Sequence, residues 1–266
     1  MNIIRFQDAT GHIGYGQPLG NNMAQRIHGD LFGDFQVSDQ TAEVAKLLAP
    51  IVPPTILCIG LNYKAHAEET GAKLPEFPVL FIKAANTLNH PEEPIMIPRV
   101  APGQVDYECE LAVIIGRSAK NVKKAEALDY VLGYTCANDV SARRWQKEGG
   151  GKQWCRGKSF DTFCPLGPHL VTRDDIPNPN DLRISTRLNG EVMQNSNTSD
   201  MIFDIPSLIS FLSQSTTLLP GTTILTGTPS GVGFTRTPPV FLEHGDQVTV
   251  EIEQIGALKN PVQDEK

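Results

Sequence analysis

Apolar residues in this chain fall mostly into short runs and alternations. Ile56-Leu57-Cys58-Ile59, Val79-Leu80-Phe81-Ile82-Lys83, Leu111-Ala112-Val113-Ile114-Ile115 and Tyr134-Thr135-Cys136-Ala137-Asn138 are compact segments that read as buried strands. Leu182 to Leu188 alternates, Asn189-Gly190 marks a tight hairpin, Glu191 to Gln194 returns, and Gly245 to Ile252 adds a turn and another alternating strand. Near the start, Asn2 to Arg5 and Ile13 to Tyr15 form a smaller strand pair. Helical spacing is confined to four places. These are Asp39 to Leu48 (Thr41, Val44, Leu47, Leu48), Asn62 to Thr70, Asn121 to Tyr130 (Val122, Ala125, Leu128), and Ile205 to Ser215 (Leu208, Ile209, Leu212). The expected class is α+β and β-rich. Pro50, Pro53 and Pro54 make a linker after a block at 1–50, leaving a larger unit at 55–266.

Composition narrows the range of functions. The chain has 266 residues, 40% of them hydrophobic, enough for a sizeable core. Its formal charge of −7 and dispersed lysines argue against nucleic acid as a partner. No apolar run approaches the ~20 residues needed to span a bilayer. The start, Met1 to Phe6, carries neither an apolar leader core nor an Arg-rich presequence, so a cytoplasmic location is expected. Five cysteines at 58, 109, 136, 155 and 164, without CxxC spacing, read as reduced thiols.

The chemistry concentrates between Asp106 and Asp161. Glu108 and Glu110 stand two residues apart at the entrance of an apolar strand and therefore share a face. Asp139 follows a second strand. Three carboxylates beside buried strands are costly unless a counter-charge cancels them. An all-oxygen set without His or Cys points to a hard cation, Mg²⁺ first, with Mn²⁺ or Ca²⁺ behind it. A lone Glu-x-Glu is otherwise a solvated or ion-paired face. His66 and Glu69, three residues apart on the segment after Gly60, are neighbours if that segment is helical, an arrangement that suits a general base as well as an incidental surface pair. Arg143 and Gln146 would likewise share a face. Arg143 suits either a substrate carboxylate or a structural salt bridge to one of the glutamates. Lys158 is a candidate for stabilising an oxyanion or enolate, with Asp161 holding it. The loop Gly227 to Gly231 offers backbone N–H groups and the Thr228 hydroxyl to a carboxylate. Gly157-Lys158-Ser159 lacks the upstream glycine of a P-loop, which argues against a nucleotide site.

Five blocks, in order, carry a family resemblance: Gly60 to Glu69, Asp106 to Ala112, Asn138 to Arg143, Gly157 to Asp161, and Thr226 to Gly233. Over about residues 55 to 260 the chain resembles the fumarylacetoacetate hydrolase superfamily. Gly151-Lys152-Gln153-Trp154 and Asp161 to Pro168 look most like the fumarylacetoacetate hydrolase domain-containing branch. The resemblance implies a mixed β-roll with a small N-terminal domain at 1–50, a catalytic domain at 55–266, and a homodimer. It implies metal ligands Glu108, Glu110 and Asp139, and a His66–Glu69 dyad brought to a water by a lid. The catalytic residues would be His66, Glu69 and Lys158; Arg143, Gln146 and Thr228 would bind substrate. Where relatives continue with Pro after the lysine at 83, this chain has Ala84-Ala85-Asn86, which weakens any transfer of substrate identity.

The function expected on this basis is Mg²⁺-dependent hydrolysis of a C–C bond in a 2,4-dioxo acid of the acylpyruvate or fumarylpyruvate type. Oxaloacetate decarboxylation, keto–enol tautomerisation, or another lyase or isomerase reaction on a 2-oxo acid uses the same electron sink. A non-catalytic binding protein on the same fold is the remaining reading.

Overall fold

The computed structural model describes residues 1–266. The first part runs β1 (Asn2–Gln7), β2 (Ile13–Gly20), β3 (Met23–Gly29), β4 (Phe35–Glu43), β5 (Lys46–Leu48), β6 (Ile56–Gly60), α1 (Lys64–Glu69) and β7 (Val79–Lys83). The middle holds short strands β8 (Leu88–Asn89), β9 (Ile95–Ile97) and β10 (Val105–Asp106). These precede β11 (Cys109–Ile115), β12 (Val131–Asn138), β13 (Ser141–Ala142), α2 (Cys155–Lys158) and β14 (Cys164–Thr172). The last part is β15 (Arg183–Leu188), β16 (Glu191–Asn197), α3 (Ile205–Leu212), β17 (Thr223–Leu225), β18 (Gln247–Ile252) and β19 (Gly256–Asp264).

Ten strands form one continuous path, β4-β3-β2-β1-β14-β12-β11-β17-β6-β7, with β5 added on β1 and β8 on β14. A second sheet, β16-β15-β18-β19-β9, packs beside it, and β10 pairs with β13. Strands are mixed in direction: β11 and β12 are antiparallel, whereas β17 and β6 are parallel. The β-rich α+β expectation therefore holds. The N-terminal strands are hydrogen-bonded to the rest, since β1 pairs with β14 through Asn2↔Val171 and Ile3↔Leu170.

The largest core cluster lies between the sheets and α3 and includes Leu111, Val113, Ile115, Leu208, Ile209 and Val250. All seven side chains of β11 are buried, as a continuous apolar run demands of a strand covered on both faces. α3 begins at Asp204, whose side chain accepts from the Ser207 N–H, and it buries Leu208, Ile209 and Leu212 as their spacing requires. The hairpin turn is built as expected: Asn189 and Gly190 both have positive φ, at 52° and 87°, joining β15 to β16.

Two expectations need correction. Asp39 to Leu48 is not a helix; it is divided between β4 and β5, with Ala42 and Leu48 buried. Its polar and β-branched residues gain more from pairing with β3 and β1 than from a marginal amphipathic stripe. β7 is a strand but not a buried one. It stands at the open edge of the large sheet, and alternation leaves Leu80 and Ile82 48% and 50% exposed while Phe81 and Lys83 point inward.

Candidate active site

Pairing of β11 with β12 assembles the acidic cluster. Cys109 lies opposite Asn138 and Glu110 opposite Ala137, so Glu108 and Asp139 sit at adjoining strand ends. The Asp139 N–H donates to the Glu108 carbonyl at 2.9 Å, and the Glu108 N–H donates to Asn138 Oδ1 at 3.0 Å. One ligand oxygen from each of Glu108, Glu110 and Asp139 lies within 4.8 Å of the others, and all three residues are buried.

Their charge is only partly cancelled by protein cations. Lys158 Nζ donates to Glu108 Oε2 at 2.7 Å and to Asp139 Oδ2 at 2.6 Å. Lys83 Nζ donates to Asp139 Oδ1 at 2.6 Å and to the Val140 carbonyl at 3.1 Å. Arg143 Nη1 reaches Glu108 Oε1 at 2.6 Å, and its Nε reaches Asp106 Oδ2 at 2.8 Å. Asp106 also accepts from the Gly233 and Phe234 N–H groups, at 2.8 and 3.0 Å. Asp106, Glu108, Glu110 and Asp139 thus face Lys83, Arg143 and Lys158, four acids against three bases.

Glu110 is the acid without a cation. Its Oε2 accepts the Gly227 N–H at 2.8 Å. Gly227 is required there: its φ is +100°, and a Cβ would lie 2.7 Å from the Cβ of Asn62. Asn62 in turn is pinned, donating to the carbonyls of Thr226 and Phe203. Burial, and then the charges of Asp139 and Glu108, push the Glu110 carboxyl well above the usual carboxylate range. Burial opposes ionisation of Glu108 too, but Lys158 and Arg143 outweigh it and hold that carboxyl at about 2. Lys158 is itself pushed upward, since Asp139 and Glu108 outweigh the burial penalty and keep it an ammonium. One acid without a cationic partner, which burial and its neighbours keep from ionising freely, and an all-oxygen donor set fit a hard divalent cation held by Glu108, Glu110 and Asp139.

The second constellation comes from α1. His66 Nδ1 lies 3.0 Å from Glu69 Oε2, as their three-residue spacing on a helix requires. Glu69 Oε1 accepts from the Gly231 N–H and from Thr235 Oγ1, both at 2.9 Å. Burial disfavours the Glu69 carboxylate, but the bonds from His66, Gly231 and Thr235 prevail and hold its titration below the ordinary value. With Nδ1 committed to Glu69, Nε2 is the imidazole nitrogen left for a ligand.

A cavity of about 460 Å³ joins the two constellations. His66, Glu69, Glu108, Glu110, Arg143, Gln146, Lys158 and Thr228 all line it, together with Phe81, Trp154 and Phe234. Asp139 lies behind this surface, fully buried. Thr228 is set by Gln194, whose Nε2 donates to its hydroxyl at 2.8 Å. Gln146 sits in a π-helical turn, Trp145–Gly149, and accepts from Arg143 at 3.1 Å. The Arg143 guanidinium is engaged with Asp106 and Glu108, the salt-bridge arrangement of the two considered for it.

Asp161 does not hold Lys158. It lies on the surface and accepts from Asn86 Nδ2 at 2.6 Å, because α2 ends at Lys158 and the chain turns outward before reaching 161. Several residues that build the site were not anticipated: Lys83, Asp106, Gln194, Phe234 and Thr235. Lys83 carried a usable signal, a lysine two residues after Phe81 and so on the same strand face. Asp106 likewise stands two residues before Glu108. Gln194 and Phe234 reach the site only through contacts distant in sequence.

Residues 55–263 match the family model described as fumarylacetoacetate (FAA) hydrolase, C-terminal, and the chain belongs to this family. It is 52% identical over 217 residues to a mitochondrial oxaloacetate tautomerase (fahd2) of Xenopus laevis, covering 81% of this chain and 68% of that protein. A fumarylacetoacetate hydrolase domain-containing protein 2 homolog of Dictyostelium discoideum is 49% identical over 229 residues, covering 83% of this chain and 75% of the other. Among solved structures, a 2-hydroxyhepta-2,4-diene-1,7-dioate isomerase from Mycobacterium marinum superposes with a TM-score of 0.86. It is 40% identical, and the match covers all of this chain and 99% of the other. The β-rich α+β architecture is therefore the fold of this family. No helix of the chain is long and apolar enough to cross a membrane.

Proposed function

We propose that this chain is a tautomerase of a short 2-oxo acid of the oxaloacetate class, interconverting its keto and enol forms. The observation that carries the reading is the His66–Glu69 dyad facing, across one cavity, a buried carboxylate cluster in which Glu110 has no cationic partner. The names of relatives about half identical to this chain, oxaloacetate tautomerases, support this reaction over the C–C hydrolysis expected from sequence.

Keto-to-enol conversion moves one proton from C3 to the C2 oxygen, so whatever removes the proton must also give one back. His66 takes the C3 proton at Nε2 as the C–H electron pair becomes the C2–C3 double bond and the carbonyl pair moves onto the C2 oxygen. The imidazolium then returns that proton to the C2 oxygen, leaving the enol and a neutral His66. The imidazolium is stabilised by the Glu69 carboxylate at Nδ1. Glu69 stays charged for this purpose because Gly231 and Thr235 donate to it. Lys158, an ammonium wedged between Glu108 and Asp139, uses two of its three N–H bonds there and has a third to aim at the developing enolate. Glu108, Glu110 and Asp139 would hold a divalent ion, Mg²⁺ in this reading with Mn²⁺ or Ca²⁺ as substitutes, which would supply Lewis-acid polarisation of the 2-oxo group. Thr228 and Gln146 position the substrate from the cavity wall.

A second reading is favoured by the cavity, which is larger than a four-carbon acid needs. The same dyad activating water would hydrolyse an acylpyruvate or fumarylpyruvate. Oxaloacetate decarboxylation would bypass the dyad. Following decay of the oxaloacetate enol with Mg²⁺, alongside CO₂ release and cleavage of acetylpyruvate and fumarylpyruvate, separates the three. The expected result is accelerated enol–keto exchange that falls by a factor of about 10² to 10⁴ in His66→Ala. Unchanged exchange in that variant removes the dyad from the mechanism, and cleavage without exchange reinstates the hydrolase.

The partner proposed for the protein itself is a second copy. Leu74, Phe77, Leu80 and Ile82 are exposed along β7 and the segment leading into it, at an open sheet edge, an apolar surface of the kind that assembly covers. Sedimentation equilibrium is expected to give twice the chain mass, shifting toward monomer in Leu80→Lys/Ile82→Lys; a monomeric parent protein contradicts the dimer. The named tautomerases are mitochondrial, and a mitochondrial location is the one proposed in place of the cytoplasmic expectation. Five free cysteines suit either reducing compartment.

A further inference from the structure

A dicarboxylate such as oxaloacetate brings two anionic ends into the cavity, and the acidic cluster with its ion accounts for one of them. The other end needs a cation of its own. Of the cationic side chains lining the cavity, Arg143 is bonded to Asp106 and Glu108, and Lys158 to Glu108 and Asp139. His66 is paired with Glu69. Lys147 is the one left over. It lines the same cavity, it is exposed, and it forms no ion pair.

Its placement is not that of a free surface lysine. Lys147 Nζ sits 4.5 Å from the centroid of the Phe234 ring, close enough for a cation–π contact. The Arg143 guanidinium carbon lies 4.4 Å from the same ring. Phe234 is fixed by its backbone, since its N–H donates to Asp106 at 3.0 Å. One ring therefore gathers two cations, and of the two only Lys147 has no acid bonded to it. A bound anion near Lys147 relieves that repulsion.

We propose that Lys147 is a specificity-determining residue that captures the distal carboxylate of the substrate, so that the site prefers four-carbon and longer dicarboxylic 2-oxo acids over monocarboxylic ones. This rests on the tautomerase reading for the identity of the substrate, and on the cavity geometry alone for the role of Lys147. Phe234 is the positioning residue that keeps the ammonium over the cavity.

The test is calorimetric binding of oxaloacetate and of pyruvate to the Mg²⁺-loaded protein, with steady-state tautomerase kinetics in parallel. Lys147→Gln is expected to weaken oxaloacetate binding about ten- to a hundredfold, the range for losing a charge-assisted bond, and to change pyruvate binding by less than about twofold. KM for oxaloacetate should rise far more than kcat falls, and Lys147→Arg should restore most of the loss. Equal weakening of both ligands, or of neither, overturns the proposal, as does failure of Lys147→Arg to rescue. If the parent protein binds oxaloacetate through Lys147 but does not accelerate enol exchange, the tautomerase reading fails and the subsite stands. If exchange is fast and Lys147→Gln is indifferent, the subsite fails alone. A parent protein that binds no oxaloacetate overturns both.

Discussion

Replacing Lys158 with methionine is expected to destabilise the protein by about 3 to 5 kcal/mol and to abolish its activity. The side chain is buried and bridges Glu108 and Asp139 at 2.7 and 2.6 Å. Methionine fills similar volume but removes the charge, so two buried carboxylates that shared an ammonium would face each other across the gap. Lys83 still holds one oxygen of Asp139, and Arg143 one oxygen of Glu108, which is why the fold should weaken rather than vanish. Urea denaturation followed by circular dichroism, in metal-free buffer at neutral pH, reads the loss as a fall in midpoint at constant slope. Mg²⁺ should recover part of the stability without recovering the rate, because an ion can replace the missing charge but not the ammonium aimed at the enolate. A loss below about 1 kcal/mol would show that Lys158 is not the principal counter-charge of this cluster.

Glu110→Gln is expected to act in the opposite direction on stability while destroying function. Glu110 has no cationic partner, and its amide replacement keeps an oxygen for the Gly227 N–H. In the metal-free protein the native carboxyl is pushed up from its ordinary 4.5 by burial and by the charges of Asp139 and Glu108. The folded state therefore binds more protons than the unfolded chain once the pH passes the ordinary carboxylate range, and metal-free stability falls as pH rises from there. The variant removes that slope and should equal or exceed the parent at neutral pH without metal. With Mg²⁺ or Mn²⁺ the order reverses, because the parent is stabilised by its ligand and the variant is not. Thermal denaturation across pH, with and without Mn²⁺, checks both signs. A variant less stable than the parent in metal-free buffer at every pH would contradict the charge imbalance assigned to the cluster.

Much of this site was legible before folding because its signals are local. Leu111 to Ile115 is a run that only a doubly covered strand accommodates, and two-residue periodicity places Glu108 and Glu110 together at its entrance. His66 and Glu69 required only one turn of helix. Asn189-Gly190 encoded its own backbone conformation. The parts that could not be read depend on which strands meet. Lys83 enters the cluster because β7 follows β6, which pairs with β17, which pairs with β11. Asp106 became the partner of Arg143 through contacts 37 residues apart. Gln194 supports Thr228 across 34 residues. The spacing of Thr41, Val44 and Leu47 resembled a helix, but the neighbouring strands offered the segment a full ladder of hydrogen bonds. Closeness in sequence suggests Asp161 as a partner for Lys158, but such closeness carries weight only inside a continuing helix, and the helix ends at Lys158. For β7, an unbroken apolar run reads as burial on both faces, whereas the strand sits at a sheet edge with Leu80 and Ile82 turned outward.

The claim on which the rest depends is that Glu108, Glu110 and Asp139 together hold one divalent ion. Isothermal titration of the metal-stripped protein with Mn²⁺ tests it directly, alongside Glu108→Gln, Glu110→Gln, Asp139→Asn and the surface control Asp161→Asn. The expected result is one site per chain in the parent and in Asp161→Asn, weakened at least about a hundredfold in each of the other three. Absence of a site in the parent, or affinity unchanged by all three cluster substitutions, would contradict the account.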